Sequence, residues 1–404
     1  MANIESPLDG IKVIEVSTWF AGPTCGMWLG EWGANVIRVE PVEGDPLRGI
    51  MASGLLPVSD YNWMWEMANR SKRCIALDLA QKQSQEIMHN LIKDADVFLA
   101  NLRPSTLERA GLGYKTLSKL NPRLVYANIT GYGAKGPGAE WPAFDETAFW
   151  ARSGIMSTMG EEGTPAVPLR GAMGDNTTGI FMLGGIALAL YAREKTGKGQ
   201  RVDNSLMGNG MWVAGVDIMG ALVYDFWIGR FSRKTMGNPL YNTYQAQDAK
   251  WFQLQMLQTD RYWPGMCKAL SRPDLENDPK FNSHGNRVKS NAELIALLDQ
   301  EFARKDRDEW GKLFDANDLI WAPALTPVEV IRDACALENG YILEYDHPTH
   351  GKLKGVRCPI QLSDTPSRTP YPAPEFGQHT EEVLLEIGYT WEDIAKFKDG
   401  KVIL

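Results

Sequence analysis

The residue in this chain best suited to chemistry is an aspartate set among glycines. Asp175 stands in Gly171-Ala-Met-Gly-Asp-Asn-Thr-Thr-Gly179, directly ahead of the apolar run Ile180 to Tyr191. Small neighbours keep a carboxylate open to approach, and the start of a helix surrounds it with backbone N–H groups that no helical carbonyl uses. Asp175 is therefore the candidate nucleophile. An aspartate ahead of an apolar-periodic segment is also what an ordinary helix N-cap looks like, and this stretch alone does not separate the two readings.

The elements that must position this residue begin near the N-terminus. Ile11-Lys-Val-Ile-Glu-Val16 alternates as a strand does, Ala21-Gly22-Pro23 breaks it, and a helix is expected over Thr24 to Trp32. Asn35 to Glu40 is the next strand, completing a βαβ unit. The series continues with strand Cys74 to Leu77, helix Gln81 to Lys93, and strands Asp96 to Asn101 and Leu124 to Ile129. This alternation predicts an α/β fold with an open, Rossmann-like sheet. The turn after the first strand lacks G-x-G-x-x-G, which argues against a dinucleotide cofactor.

Beyond the Asp175 helix, Gly197-Lys-Gly-Gln200 turns the chain into a short strand at Arg201 to Asp203. The Met-rich, small-residue run Leu206 to Leu222 then reads as core packing. Composition shifts near Tyr224, where a smaller α+β domain is expected, with a strand at Trp251 to Gln255 and helical patterns over Arg261 to Leu270 and Ala292 to Phe314. Leu343 to Leu362 reads as β structure around Pro348-Thr-His-Gly351, and Thr380 to Lys398 as helical. The expected division is 1–223 for a large domain carrying Asp175, 224–335 for a small one, and 336–404 for a linker and C-terminal segment.

Bulk properties narrow the function. The chain has 404 residues, 44% of them hydrophobic and 23% charged, which is the composition of a globular protein long enough for two domains. A net charge of -8 without a long Lys/Arg block argues against nucleic-acid binding, so an anionic ligand must meet a local basic patch. Five widely spaced cysteines form no C-x-x-C pair, which indicates neither a disulfide framework nor a metal site and fits a reducing cytoplasm. Residues 1–7 carry no secretory pattern, and Gly179 to Ala192 is too short to span a bilayer, so no membrane association is expected.

Several ordered stretches together resemble one family. They are Pro7 to Glu15, Ala21-Gly22-Pro23, Gly33 to Glu40, Gly44-Asp-Pro-Leu-Arg48, Asn69 to Asp78, Thr130-Gly-Tyr-Gly133 with Lys135-Gly-Pro137, Gly174-Asp175, Lys195 to Gln200 and Gly377-Gln-His-Thr380. The chain is similar to family III CoA-transferases, which include the formyl-CoA:oxalate, carnitine, phenyllactate and benzylsuccinate enzymes. In that family the catalytic aspartate lies in Gly-Asp-x-x-x-Gly, here Gly174-Asp175 to Gly179.

The resemblance implies an enzyme that moves CoA from an acyl-CoA donor, such as succinyl-CoA or an aryl-acyl-CoA, to a carboxylic acid. The implied intermediates are an aspartyl anhydride and an aspartyl-CoA thioester on Asp175, with Gly174 and Gly179 leaving room. It implies no tightly bound cofactor and no metal; coenzyme A is a substrate. The positions matching the family's CoA contacts are Phe20, Ala21, Leu77, Asp78, Leu79, Ala80, Asn101, Leu102, Arg103, Arg109, Thr130, Gly131, Tyr132 and Gly133. Arg48, Lys72 and Arg73 are further charged candidates. The family also implies an interlocked homodimer, or a heteromer with a homologous subunit, with crossings near Gly197 to Tyr224 and Ala324 to Asp346.

Two departures bear on substrate. The oxalate enzyme has a glutamine after the first strand where this chain has Phe20 beside Trp19, and its glycine-rich loop is replaced by Met236-Gly-Asn-Pro-Leu240. Both argue against oxalate and favour an aryl-substituted acid such as benzylsuccinate or phenyllactate, with Trp19 and Phe20 shaping the pocket. α-Methylacyl-CoA racemases share the fold but need a His-Asp pair, for which this chain has Phe144-Asp145. A racemase-like isomerase and a non-catalytic subunit of a heteromeric transferase are the alternative readings.

Overall fold

Five short runs rich in Val, Ile, Leu and Ala and a sixth, more polar one at the edge pair as parallel strands. They are β1 (Lys12–Val16), β2 (Asn35–Glu40), β3 (Arg73–Ala76), β4 (Val97–Ala100), β5 (Val125–Thr130) and β6 (Arg201–Ser205), in the order β3-β2-β1-β4-β5-β6. In register, Ile14 stands between Ile37 and Phe98, and Phe98 pairs in turn with Tyr126. All four are nearly inaccessible, as expected of a parallel sheet covered on both faces. The computed structural model describes residues 5–53, 59–167, 169–368 and 371–404. Residues 1–4, part of the stretch read for a secretory pattern, lie outside them.

The order of the strands places the site. The order in which strands are added reverses between β1 and β4, and in an open α/β sheet the crevice beyond the C-terminal ends of such strands receives ligands. Helix α1 (Ala21–Glu31) follows β1 directly, three residues earlier than expected. Pro23 does not break the chain; it occupies the first helical turn, where a missing N–H costs nothing. Helix α2 (Met173–Thr196) runs for 24 residues and packs across α1. Their contact is close because Gly179 has no side chain: a Cβ there would stand 3.0 Å from the Ala21 carbonyl oxygen and 3.1 Å from Thr24.

The same unit includes the chain after Gly340. A hairpin pairs β10 (Ile342–His347) with β11 (Gly351–Val356), ending short of the expected Leu362. The C-terminal segment then lies on β3: His379 N donates to the Cys74 carbonyl at 2.9 Å, and Ala76 N donates to Thr380 Oγ1 at 3.1 Å. The second unit comprises residues 157–167 and 228–339. It contains the antiparallel strands β7 (Tyr241–Gln245), β8 (Trp251–Gln255) and β9 (Trp321–Pro323) around Phe252, Phe302 and Phe314. The helical pattern over Ala292 to Phe314 is two helices, Asn291–Phe302 and Arg307–Asp315, because Asp306 caps the second in a capping box with Glu309.

The run Leu206 to Leu222 is not core packing within the chain. Helices α3 (Leu206–Val213) and α4 (Gly215–Tyr224) leave Trp212, Val216 and Leu222 74%, 84% and 76% exposed. Every residue of α4 is exposed or half-buried, although Asp217 is its one charged residue and most of the rest are apolar. Among the described residues no single helix is long and apolar enough to cross a membrane; α3 and α4 together reach that length and composition but meet at 80°.

Candidate active site

The loop from β1 into α1 is held from beneath by buried charge. Arg38 on β2 pairs with Glu15 of β1 at 2.7 Å and with Asp45, and all three are inaccessible. Asp45 in turn accepts the Trp19 N–H at 3.1 Å and the Leu47 N–H at 2.8 Å. Trp19 has φ of 61°, a left-handed conformation that an aromatic residue adopts only when its surroundings impose it. From the other side Asn101, just past β4, accepts the Thr18 N–H at 2.9 Å and donates to the Thr18 carbonyl at 2.7 Å. The two loops at the switch point are thereby locked together.

Between them lies a cleft of about 450 Å³, walled by Thr18, Trp19 and Ala21 after β1, Asn101 to Arg103 and Thr106 after β4, and Ile129 to Gly131 at the end of β5. Trp141, Phe144 and Leu206 complete the wall, and Asp175 stands in it. Trp19 and Phe144 meet edge to face with ring centroids 5.7 Å apart. The aromatic pair at the cleft is thus Trp19 with Phe144. Phe20 points instead into a small core with Leu47, Trp65 and Ala68, which corrects its expected place in the pocket.

Asp175 is the third residue of α2, and the cap position is Ala172, in a left-handed conformation with no side-chain cap. The N-cap reading of Asp175 is therefore excluded. Among the described residues no hydrogen bond reaches its carboxyl oxygens. Burial, reinforced by the charges of Asp145 and Glu146, pushes its pKa up to about 7. Asp145 is 2% exposed and opens a π-helical turn, Glu146–Ala151. Its Oδ2 accepts the Trp150 indole N–H at 3.2 Å. Its Oδ1 makes no hydrogen bond of normal geometry but lies against the start of α2, under the pull of the Gly174 and Asp175 backbone N–H groups. Burial nonetheless raises this carboxyl too.

Gly174 and Gly179 admit protein, not ligand. A Cβ on Gly174 would stand 2.2 Å from both Asp145 Oδ1 and Phe149 Cγ, and Gly179 serves the α1 contact. Of the other expected positions, Ala21, Asn101, Leu102, Arg103, Thr130 and Gly131 line the cleft, with Tyr132 and Gly133 following directly. Leu77 is buried, while Asp78, Leu79 and Ala80 form the turn after β3, where Asp78 Oδ1 accepts the Ala80 N–H at 3.0 Å. Arg109 is exposed on the helix Pro104–Arg109, bonded to Thr106.

The three further cations are committed elsewhere. Lys72 is inaccessible and donates to Glu15 Oε1 at 3.1 Å and to the Pro23 carbonyl at 2.8 Å, so it cannot meet a phosphate. Arg48 pairs with Glu40 at 2.7 Å and lies over Trp65, and Arg73 pairs with Glu382 and Glu386. Asp145 and Trp150 have no sequence signal of their own; the aspartate was visible only as the neighbour of Phe144.

A site with one carboxyl lacking hydrogen-bond partners, in a cleft at the switch point, can perform nucleophilic acyl chemistry. Comparison with known proteins gives the class. The profile of CoA-transferase family III matches residues 8–380. The chain is 33% identical to (R)-2-hydroxy-4-methylpentanoate CoA-transferase of Clostridioides difficile, over 98% of this chain and 99% of that one. It is 34% identical to cinnamoyl-CoA:phenyllactate CoA-transferase of Clostridium sporogenes, over 100% and 99% respectively. Among solved structures, a CaiB/BaiF family protein from Brucella suis superposes with a TM-score of 0.85 at 29% identity, covering 95% of this chain and 100% of the other. The chain belongs to CoA-transferase family III, and it is a CoA-transferase whose substrates are CoA thioesters.

Proposed function

We propose that Asp175 is the nucleophile of this transferase and that its acceptor is a carboxylic acid with an aryl or branched apolar side chain, such as phenyllactate or benzylsuccinate. The observation that carries the reading is the Asp175 carboxyl itself, without hydrogen-bond partners among the described residues and raised toward neutrality in the wall of the cleft. Its carboxylate oxygen attacks the thioester carbonyl of the donor; CoA thiolate leaves and a mixed anhydride forms. The thiolate attacks the aspartyl carbonyl, releasing the donor acid as carboxylate and leaving an aspartyl-CoA thioester. The acceptor carboxylate attacks that thioester and frees the thiolate. Attack of the thiolate on the acceptor's acyl carbon then yields the new acyl-CoA and restores Asp175. One thioester is exchanged for another, so no external energy source is needed.

The Trp19–Phe144 pair supports an apolar acid, since edge-to-face rings offer a flat wall to an aryl or branched group. Two relatives whose names specify phenyllactate and 2-hydroxy-4-methylpentanoate support the same class. The CoA contacts are assigned to the loops after β1, β4 and β5, with Arg103 and Arg109 toward the phosphates, and to the turn Leu77 to Ala80. The assembly is an interlocked dimer or a heteromer with a homologous chain, supported by the uncovered apolar faces of α3 and α4. A cytoplasmic, reducing setting fits four buried free thiols.

The test is chemical trapping. Incubation with a donor acyl-CoA followed by borohydride is expected to reduce the aspartyl thioester to an alcohol, detected by peptide mass at Asp175. Asp175→Ala is expected to bind CoA and transfer nothing. Near wild-type turnover by that variant, or label on another carboxylate, refutes the assignment.

A further inference from the structure

Behind the cleft wall, next to Phe144, lies a second carboxylate that the exchange itself does not require. Asp145 is buried, it is fixed by the Trp150 indole, and its free oxygen abuts the α2 start at Gly174, the residue next to Asp175. The absence of a side chain at Gly174 is what lets Asp145 and Phe149 approach that closely. We propose that Asp145 is a positioning residue for the nucleophile: its carboxyl occupies the N-terminal end of α2, denies that place to the free Asp175 carboxylate, and so favours the acylated, uncharged states of Asp175.

The physical argument concerns which states carry charge. A helix start is a favourable setting for one carboxylate, and here Asp145 takes it. Free Asp175 then stands as a second anion beside the first. In the anhydride the charge passes to the released thiolate; once the aspartyl thioester has formed and the donor carboxylate has left, Asp175 is neutral and the repulsion is relieved. The equilibrium between free enzyme and covalent intermediate therefore moves toward the intermediate, and the free carboxylate becomes more basic and a better nucleophile. The charged groups acting on Asp175 are Asp145 and Glu146, both from the same turn. Helix α1 faces α2 with the neutral Thr24, which donates to Asn176 Oδ1 at 2.9 Å, and with Cys25, kept protonated by burial. Arg103 is the cation in the cleft wall.

This inference rests on Asp175 being the nucleophile, and its test separates the two. In Asp145→Asn the acidic limb of the kcat/KM profile is expected to move down by about one pH unit, and the trapped covalent fraction at a fixed donor concentration to fall about tenfold. A purely structural role would lower the rate alike at every pH and leave the limb in place. Trp150→Phe keeps the charge but releases its position; it is expected to move limb and trapped fraction in the same direction by a smaller amount, and it decides the matter if Asp145→Asn does not fold. Label at Asp175 with an unmoved limb in the folded variant overturns this role of Asp145 alone. Label elsewhere overturns the nucleophile assignment first.

Discussion

Replacing Asp175 by asparagine should abolish transfer and, above neutral pH, make the protein more stable. The amide matches the carboxyl in shape and cannot ionise. A carboxyl raised from 3.8 to about 7 stabilises the fold in its neutral form, so its contribution is complete below about pH 4 and is lost as pH rises to 7. At about 1.4 kcal/mol per pH unit the full loss is about 4 kcal/mol; because the group is half-buried beside an open cleft, about 2 kcal/mol is the working expectation. The assay is thermal and urea unfolding of both proteins at pH 5, 6, 7 and 8 in low salt, following the transition of the unit that contains the sheet. The stability difference should widen in favour of Asp175→Asn from pH 5 to pH 7 and then level off. A difference constant across that range, or one favouring the wild type at pH 8, would refute the claim that Asp175 is held against its own ionisation.

Gly174→Ala should force Asp145 and Phe149 apart from the helix start, costing about 1–3 kcal/mol of stability and about 100-fold in kcat, measured by unfolding and steady-state transfer. Full activity in that variant would show that the close approach is unimportant. Trp19→Ala should raise KM for an aryl acid acceptor about tenfold while changing KM for a short aliphatic acid much less, by loss of one apolar wall. Equal effects on both would remove the pair from acceptor selection. Leu222→Asp should shift the mass by light scattering from dimer to monomer, since it places a charge on a face that is apolar and 76% exposed at this residue. A monomeric wild type, or an unaltered dimer in the variant, would count against α4 as the interface.

What was legible in the sequence is what local pattern determines. The run Asn35 to Glu40 matches β2 residue for residue, because Val36, Ile37 and Val39 give a β-branched apolar signal that the single Arg38 does not mask and the polar ends bound it. The start of α1 was misplaced since Pro23 is read as a break, although in a first turn it is compatible with the helix. Charge was legible in kind but not in partnership: Lys72 and Arg48 look like phosphate ligands until the fold brings Glu15 and Glu40 beside them. The Asp175 stretch was readable because its glycines are adjacent to it in the chain. Asp145 was not, since its relation to Gly174 exists only after a separate turn folds back on the helix. For α3 and α4, hydrophobicity reads as burial, but the described residues of this chain leave Trp212, Val216 and Leu222 uncovered.

The distribution of charge in the first unit explains how a strongly anionic ligand is compatible with an acidic site. Among the described residues its buried cations are already used: Arg38 and Lys72 hold Glu15 and Asp45, Arg70 holds Glu31 at 2.8 Å, Arg193 holds Asp96 at 2.9 Å, and none of them pairs with Asp145 or Asp175. Buried pairs of this kind return little net stability, because desolvation consumes most of the attraction. What they provide is position, since Asp45 fixes the left-handed Trp19 and with it one wall of the cleft. What remains is a corner in which the charges acting on Asp175, those of Asp145 and Glu146, are both negative. On the proposed reading that corner meets the thioester end of CoA, which is uncharged, while the phosphates remain near the exposed Arg103 and Arg109. Repulsion then falls on the free carboxylates and on a newly released thiolate, and both are relieved by forming the next covalent bond. An acidic pair that would be a poor site for binding an anion is thus suited to passing one acyl group on.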